Sequence, residues 1–127
     1  MRIIADTNFL MLPGTLGVDI MRELERLVER RFELLVPSPV IKELEQISTH
    51  GSPKERTAAR IGLSLARHGA VVRMRGDADD CIVRLAAKKG YVVGTTDSEL
   101  RRRLRRLGVS VIYLRKRSHL VVDGHIG

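Results

Sequence analysis

Residues 91–114 read YVVGTTDSELRRRLRRLGVSVIYL, and this one stretch decides the fold class. Its first apolar run, Tyr91 to Thr95, and its last, Val109 to Leu114, predict two β-strands. Between the runs, leucines from Leu100 onward recur at helical spacing, and Thr96 is the expected N-cap of that helix. A strand, a helix and a second strand in succession are typical of a parallel sheet that is covered by helices.

The same alternation continues outward along the chain. Further apolar runs with strand character lie at Ile3 to Ala5, Leu34 to Val36 and Val71 to Met74. Segments with helical spacing separate these runs, and the first of them carries an amphipathic stripe from Val18 to Val28. The repeated pattern predicts the same α/β architecture for the rest of the chain.

Capping residues mark where three of the remaining helices begin. Ser38, followed by a proline, starts a helix that is expected to run through Ile47. Ser52 and Glu55 have the spacing of a capping box, and Asp77 is the expected N-cap of the helix before the fourth strand. Together these boundaries predict the element order β-α-β-α-α-β-α-β-α-β.

We expect a single domain over residues 1–127, built as a three-layer α/β sandwich with a central parallel sheet of about five strands. The last residues, 115–127, are expected to form a basic C-terminal tail, which either contains a short strand at Leu120 to Val122 or is mobile. In such a fold a ligand binds at the carboxyl ends of the strands.

The charge balance points to a polyanionic partner. The chain has 23 Lys and Arg against 15 Asp and Glu, a formal net charge of +8, and nucleic acid is the first candidate. Two Tyr, two Phe and no Trp argue against a single-strand binder built on a platform of stacking aromatics. We therefore expect contacts to phosphate to dominate binding.

Several protein classes are excluded or disfavoured by composition. The lone cysteine, Cys81, forms neither an internal disulfide nor a thiolate zinc site, so any metal must be held by oxygen or imidazole ligands. No apolar run approaches the roughly 20 residues of a membrane span, and the first residues lack the apolar stretch of a signal peptide. A cytoplasmic protein with no membrane partner is expected.

Four acidic residues fall where the predicted strands end. Asp6 ends the first strand, Glu43 lies in the helix after the second, Asp80 begins the helix after the third, and Asp97 follows the fourth. Carboxylates gathered in one cleft repel each other, and one or two hard cations such as Mg²⁺ or Mn²⁺ relieve that repulsion. Such ions activate water and polarise a phosphodiester, so the pattern predicts hydrolysis of nucleic acid.

Simpler explanations exist for individual acids in this set. An aspartate between a strand and a helix is commonly only an N-cap, which applies to Asp77, Asp79 and Asp97 taken singly. Glu43 alone is equally well explained as a solvated helix residue. Because independent caps need not converge on one cleft, the joint placement of the four acids carries the prediction.

Four short motifs resemble those of the PIN-domain nucleases. They are Asp6-Thr7-Asn8, Glu43 within Val40–Leu44, Asp80 within Ala78–Val83, and Thr95-Thr96-Asp97. The resemblance covers most of the chain and implies a PIN-like, Rossmann-like sandwich. The segments at 78–83 and 97–113, the latter ending in Val-Ile-Tyr, are closest to the small-subunit rRNA-processing branch of archaeal and eukaryotic PIN proteins.

The resemblance also implies roles for individual residues. Asp6, Glu43, Asp80 and Asp97 are the implied catalytic residues and ligands of Mg²⁺ or Mn²⁺, and Asn8 and Thr95 are implied to form hydrogen bonds around the cleft. Spacing fits either Asp79 or Asp80 as the third ligand. The sequence Asp-Cys-Ile-Val favours Asp80, which leaves Asp79 a supporting or capping residue.

Basic residues predict where RNA binds. Phosphate contacts are expected from the helix after Asp97 and from the segment beyond the last strand, through Arg101, Arg102, Arg103, Arg105, Arg106, Arg115, Lys116 and Arg117.

The leading hypothesis is a metal-dependent endoribonuclease that acts on RNA in rRNA processing, within a pre-ribosomal assembly. One alternative is the toxin ribonuclease of a toxin–antitoxin pair, with an antitoxin protein as partner. A third hypothesis is a non-catalytic RNA-binding ribosome assembly factor, although such a binder has little use for carboxylates that repel phosphate. The family resemblance also suggests a homodimer.

Overall fold

Six strands and six helices lie along residues 1–126, the part of the chain that the computed structural model describes. In chain order the elements are β1 (Arg2–Ala5), α1 (Thr7–Leu16), α2 (Ile20–Leu27), β2 (Glu33–Pro37), α3 (Ser38–His50), α4 (Pro53–Arg67), β3 (Ala70–Val72), α5 (Ala78–Ala86), β4 (Tyr91–Gly94), α6 (Ser98–Arg106), β5 (Val111–Arg115) and β6 (His119–Asp123). The sequence pattern predicts all of them except α1 and, for β6, leaves the choice between a strand and a mobile tail.

Within the described part of the chain, six strands form one sheet in the order β3-β2-β1-β4-β5-β6. Strands β1 to β5 pair in parallel, as predicted, whereas β6 pairs antiparallel with β5. The central strand β1 is fully buried at Ile3, Ile4 and Ala5, which matches its continuous apolar sequence. Residues 119–123 are thus an edge strand and not a tail, while Gly127 lies outside the described residues.

Helix α1 follows β1 directly. Asp6 is its N-cap, and Asp6 Oδ1 accepts a hydrogen bond from Phe9 N at 2.8 Å. The helix contains Pro13 and is largely buried, so its sequence lacks the one-sided stripe by which an amphipathic helix is predicted. Gly14 allows α1 to approach α4, because a Cβ at this position would lie 2.4 Å from Ala58 Cα.

Two of the predicted helix caps are confirmed. Ser52 N donates to Glu55 Oε1 at 2.8 Å, and Glu55 N donates to Ser52 Oγ at 3.2 Å, which completes a capping box. Asp77 caps α5 by accepting a hydrogen bond from Asp80 N at 3.0 Å. This cap fixes where α5 begins and therefore which of its side chains face the end of the sheet.

Two other helix boundaries differ from the prediction. Asp97, and not Thr96, caps α6, because Asp97 Oδ1 accepts hydrogen bonds from two first-turn N–H groups at 2.8 and 3.2 Å. Ser38 begins α3, but its hydroxyl donates to Met74 O at 3.1 Å and makes no cap. Helix α3 also continues to His50, beyond the expected end.

Side chains of α2 cover part of the outer edge of β6. Glu23 Oε1 accepts a hydrogen bond from Leu120 N at 2.9 Å, and Arg26 Nη2 donates to Leu120 O at 2.9 Å. Glu23 and Arg26 also pair with each other at 3.0 Å. Both backbone groups of this edge residue are therefore satisfied from within the chain.

The apolar core lies between the sheet and its helices. Among its largest fully buried side chains are Ile4 from β1, Phe9 from α1, Leu24 from α2, Ile82 from α5 and Leu104 from α6. No buried polar side-chain atom of the described residues is without a hydrogen-bond partner. None of the described helices has the length and apolar character needed to cross a bilayer.

Candidate functional site

A cavity of about 430 Å³ opens at the carboxyl ends of β1 and β4. We call it the carboxylate cavity, and its lining residues are Asp6, Thr7, Asn8, Glu43, Gln46, Ile47, Ala78, Asp79 and Asp97. Five of the residues predicted from the sequence thus share one cavity, namely Asp6, Asn8, Glu43, Asp79 and Asp97.

Asp6 is the most deeply placed of the acids. Its residue surface is 8% exposed, Oδ1 accepts from Phe9 N at 2.8 Å, and Oδ2 accepts a hydrogen bond from the Thr95 hydroxyl. Burial raises the pKa of Asp6 from 3.8 to about 7, against the lowering effect of these hydrogen bonds, and the charges of Asp79 and Asp97 raise it further. The protein therefore holds this carboxyl group where ionisation is costly.

Thr95 connects two of the predicted acids. Its side chain is fully buried at the end of β4, and its hydroxyl donates to Asp6 while accepting a hydrogen bond from Asp97 N at 3.0 Å. One hydroxyl therefore fixes the end of β1 relative to the start of α6. Asn8 lines the cavity from the first turn of α1, and its side chain has no hydrogen bond to any described residue.

Thr7 and Gln46 also line the cavity, and neither is among the site residues predicted from the sequence. The Thr7 hydroxyl donates to Glu43 Oε1 at 2.5 Å, which orients that carboxylate. Gln46 lies one helical turn after Glu43 on α3 and so shares its face. The position of Thr7 directly after Asp6 is a usable sequence signal, whereas Gln46 is identified only from the phase of α3.

Of the two adjacent acids Asp79 and Asp80, only Asp79 lines the carboxylate cavity. Asp79 lines the carboxylate cavity, and burial, followed by the charges of Asp97, Asp77 and Glu43, raises its pKa. Asp80 is outside that cavity, with its side chain 55% exposed and Oδ1 paired with Arg103 Nη1 at 3.1 Å. Successive residues of a helix point about 100° apart, so Asp79 and Asp80 have different surroundings.

The carboxylate cavity has the donor chemistry of a site for a hard cation. Its four acids offer oxygen ligands, and none of the described residues lining it is basic. Repulsion between the acids contributes to the raised pKa values of Asp6 and Asp79. A cation bound among them would relieve this repulsion. In residues 1–126, however, no three His, Cys, Asp or Glu side chains are already spaced to hold one ion.

A second cavity, of about 360 Å³, adjoins the first. We call it the arginine cavity, and it is lined by Asp79, Asp97, Glu99, Leu100, Arg102, Arg103 and Arg106. Asp79 and Asp97 line both cavities, so guanidinium groups lie directly beside the carboxylates.

The arginines of α6 are divided between two sides of the helix. Arg101 Nε lies 3.6 Å from Asp123 Oδ2, and Arg105 Nε lies 3.2 Å from Asp123 Oδ1. Arg102 and Arg106 have no hydrogen bond or ion pair with any residue in the described range. Because Leu100 and Leu104 are buried, the positions 101 and 105 face β6 and the positions 102 and 106 face the cavity.

The remaining predicted RNA contacts lie on the β5–β6 hairpin. Arg115 Nη2 donates to the Tyr113 hydroxyl at 2.7 Å. Lys116 and Arg117 are exposed in the turn, where both have left-handed backbone angles, with φ of 55° and 57°. Residues other than glycine adopt this backbone conformation at an energetic cost. The turn projects both charges into solvent.

Comparisons with known proteins agree with this architecture. The family described as "PIN like domain" matches residues 3–117. Ribonuclease VapC9 of Archaeoglobus fulgidus is 32% identical over 120 residues, which cover 94% of this chain and 87% of the relative. The rRNA-processing protein FCF1 of Saccharomyces cerevisiae is 33% identical over 112 residues, 84% of this chain and 55% of the yeast protein. The solved structure of the PIN domain endonuclease Utp24 superposes with a TM-score of 0.79 at 25% identity and covers 98% of this chain and 92% of its own.

Proposed function

This chain belongs to the family of PIN-like domains, and on that basis we propose that it is an endoribonuclease that uses Mg²⁺ or Mn²⁺ to hydrolyse phosphodiester bonds in RNA. The observation that carries the proposal is that a cavity lined by four carboxylates adjoins a cavity that contains three arginines. A cavity lined by four carboxylates repels phosphate, whereas the neighbouring arginines attract it. Cations bound among the carboxylates make the two cavities compatible with one polyanionic substrate.

Asp6, Glu43, Asp79 and Asp97 are the proposed ligands of one or two ions. Asp79 is proposed as a ligand in preference to Asp80, because Asp79 lines the carboxylate cavity. Each carboxylate oxygen that already accepts one hydrogen bond keeps a further lone pair for an ion. Ion binding then requires the four side chains to move toward a common centre.

When bound, the ion supplies polarisation of the phosphodiester and a water of lowered pKa. The side chains of the protein hold the carboxylates in position. Thr95 holds the Asp6 carboxylate and the backbone of Asp97, and Thr7 holds Glu43. Glu43, which the Thr7 hydroxyl orients, has the further assigned role of positioning the attacking water.

We assign the binding of the phosphates on either side of the cleaved bond to basic residues. Arg102, Arg103 and Arg106 face the cavity beside the carboxylates. Arg115, Lys116 and Arg117 form a second basic surface at the hairpin. The net charge of +8 favours long-range attraction of RNA to both surfaces.

We assign precursor rRNA, presented in a pre-ribosomal assembly, as the substrate. Similarity to the rRNA-processing protein FCF1 and to the structure of Utp24 supports this assignment. A toxin ribonuclease with an antitoxin partner is the second candidate, and similarity to Ribonuclease VapC9 favours it. Mapping of cleavage sites in total RNA separates the two, since the first predicts cuts confined to rRNA precursors.

Cleavage of end-labelled RNA tests the proposal. Purified protein is incubated with hairpin and pre-ribosomal RNA segments in Mn²⁺, Mg²⁺ or EDTA, beside Asp6→Asn. Metal-dependent cuts that are lost in EDTA and in the variant are expected. Tight, salt-sensitive RNA binding without cuts in any metal would instead support the non-catalytic assembly factor.

A further inference from the structure

A third cavity, of about 260 Å³, lies at the carboxyl ends of β4 and β5. We call it the tyrosine cavity, and it is lined by Thr95, Thr96, Asp97, Ser98, Arg101, Tyr113 and Leu114. Asp97 lines this cavity as well as the carboxylate and arginine cavities. A nucleotide chain that passes Asp97 therefore has access to all three.

The sheet register explains why an aromatic ring lies here. Gly94 pairs with Ala5 on one side and with Ile112 on the other. The next residue of each strand is Asp6, Thr95 or Tyr113, so these three occupy one row at the carboxyl edge. Tyr113 is thus one strand away from the hydroxyl that holds the Asp6 carboxylate.

The Tyr113 ring is held in a stack with an arginine. Arg101 Cζ lies 3.8 Å from the ring centroid, and Arg101 Nε is in turn 3.6 Å from Asp123. Arg115 Nη2 donates to the Tyr113 hydroxyl at 2.7 Å. The ring is therefore fixed both at its face and at its polar end, and the Arg101 guanidinium presents a second planar group above it.

The rest of the cavity offers uncharged polar groups. Thr96 and Ser98 are exposed, and within residues 1–126 neither hydroxyl forms a hydrogen bond. A hydroxyl both donates and accepts, which suits the edge of a nucleobase. A phosphate at this position would face the Asp97 carboxylate, and the one guanidinium in the lining, that of Arg101, is already paired with Asp123. An uncharged base carries no such penalty.

We propose that the tyrosine cavity binds one unpaired nucleobase of the RNA, which stacks on the Arg101–Tyr113 pair beside the bond to be cleaved. Protein sites commonly recognise unpaired bases by stacking them on aromatic rings and on guanidinium planes. The inference rests on the proposed function and specifies its substrate as RNA with a splayed-out nucleotide at this position. A single stacking position also agrees with the scarcity of aromatic residues in the chain.

The chain contains a matched control for this position. Tyr91 also lies near an arginine, with Arg2 Cζ 5.5 Å from its ring centroid and Arg2 Nη1 donating to its hydroxyl at 3.1 Å. Tyr91 is the first residue of β4 and so lies at the amino end of the sheet, away from the three cavities. Replacement of Tyr91 removes a comparable tyrosine–arginine contact but not the proposed base site.

The test uses single-stranded RNA oligonucleotides that carry 2-aminopurine at successive positions, bound in EDTA so that no cleavage occurs. In the wild type, fluorescence quenching by stacking is expected at one position. Tyr113→Leu should abolish that quenching and weaken binding by roughly tenfold, while Tyr113→Phe and Tyr91→Leu should keep both. Thermal melting checks that each variant is folded.

Abasic substitution of the RNA tests the same contact without any change to the protein. Removal of the base at the quenched position should weaken wild-type binding by roughly tenfold and have little further effect on Tyr113→Leu. Equal quenching and equal affinity in folded Tyr113→Leu would overturn the inference, even if the protein cleaves RNA. Quenching that depends on Tyr113 in a protein that never cleaves would support the base site and overturn the proposed nuclease activity.

Discussion

The Thr95 hydroxyl donates a hydrogen bond to the Asp6 carboxylate across a separation of 89 residues in the chain. The same oxygen accepts from Asp97 N at 3.0 Å, so a single side chain links two of the proposed metal ligands. This contact joins the central strand to the neighbouring strand at the edge where the three cavities meet.

Replacement of Thr95 by valine keeps the shape of the side chain and removes this link. Asp6 loses a hydrogen bond that lowers its pKa, so its pKa should rise above about 7. We expect Thr95→Val to lower the free energy of unfolding by about 1–3 kcal/mol, because Asp97 N is left without its partner. Urea denaturation measures the change. Thr96→Val, which removes an exposed hydroxyl, is the control and should have almost no effect on stability.

The stability of metal-free Asp6→Asn relative to the wild type should rise as the pH increases from about 4 to about 7. The folded-state pKa of Asp6 is about 7 against 3.8, so the unfolded chain releases this proton at lower pH than the folded one. The wild type therefore has its full stability from this group below about pH 4 and loses it as the pH rises toward 7. Asn does not titrate, and the relative stability of the variant should rise over this interval by at most about 4 kcal/mol.

The measurement is urea denaturation of both proteins in EDTA at about pH 4 and about pH 8. Equal stability differences at the two pH values would contradict the raised pKa. Addition of Mn²⁺ should then stabilise the wild type and leave Asp6→Asn nearly unchanged, because an ion that binds only the folded protein shifts the unfolding equilibrium.

The adjacent acids Asp79 and Asp80 provide a test of the proposed ligand set. Asp79→Asn should raise the Mn²⁺ concentration needed for half-maximal cleavage by about tenfold or more, because a carboxylate of the cavity is lost. Asp80→Asn removes only an exposed pair with Arg103 and should cleave RNA nearly as the wild type does. The reverse ranking would return the ligand role to Asp80.

The division of the α6 arginines predicts different effects of otherwise similar substitutions. Arg102→Gln together with Arg106→Gln should reduce the dependence of log Kd on log salt concentration for single-stranded RNA by about 1.4, if each arginine contacts one phosphate. Arg105→Gln should leave this dependence unchanged and lower the melting temperature, because Arg105 pairs with Asp123 and donates to Val109 O. Filter binding across a salt series measures the first effect. If Arg105→Gln reduced the salt dependence by half as much as the double variant does, the three arginines would contribute equally and the division would be contradicted.

The sequence predicts the placement of the acids because parallel strands end at one edge of the sheet. Asp6 and Asp97 follow directly from this rule, and Glu43 follows from its place in the next helix. Helix α1 is harder to predict, because a largely buried helix that contains Pro13 has no polar face to define its period.

Two features of the site could not be predicted from the sequence, because they depend on the rotational phase of a helix and on contacts between distant parts of the chain. The choice between Asp79 and Asp80 is set by the phase of α5, which the Asp77 cap fixes. The division of the α6 arginines requires Asp123, which comes from β6 and reaches the helix only in the folded protein. Neither relationship has a signal in the local sequence.

The cover over β6 restricts how two copies of this chain can assemble. Extension of a sheet between subunits requires free N–H and C=O groups on alternate residues of the edge strand. At Leu120 both groups are already bonded to Glu23 and Arg26. A homodimer of the kind that the family resemblance suggests can therefore continue the sheet across Leu120 only if Glu23 and Arg26 are displaced from its backbone groups.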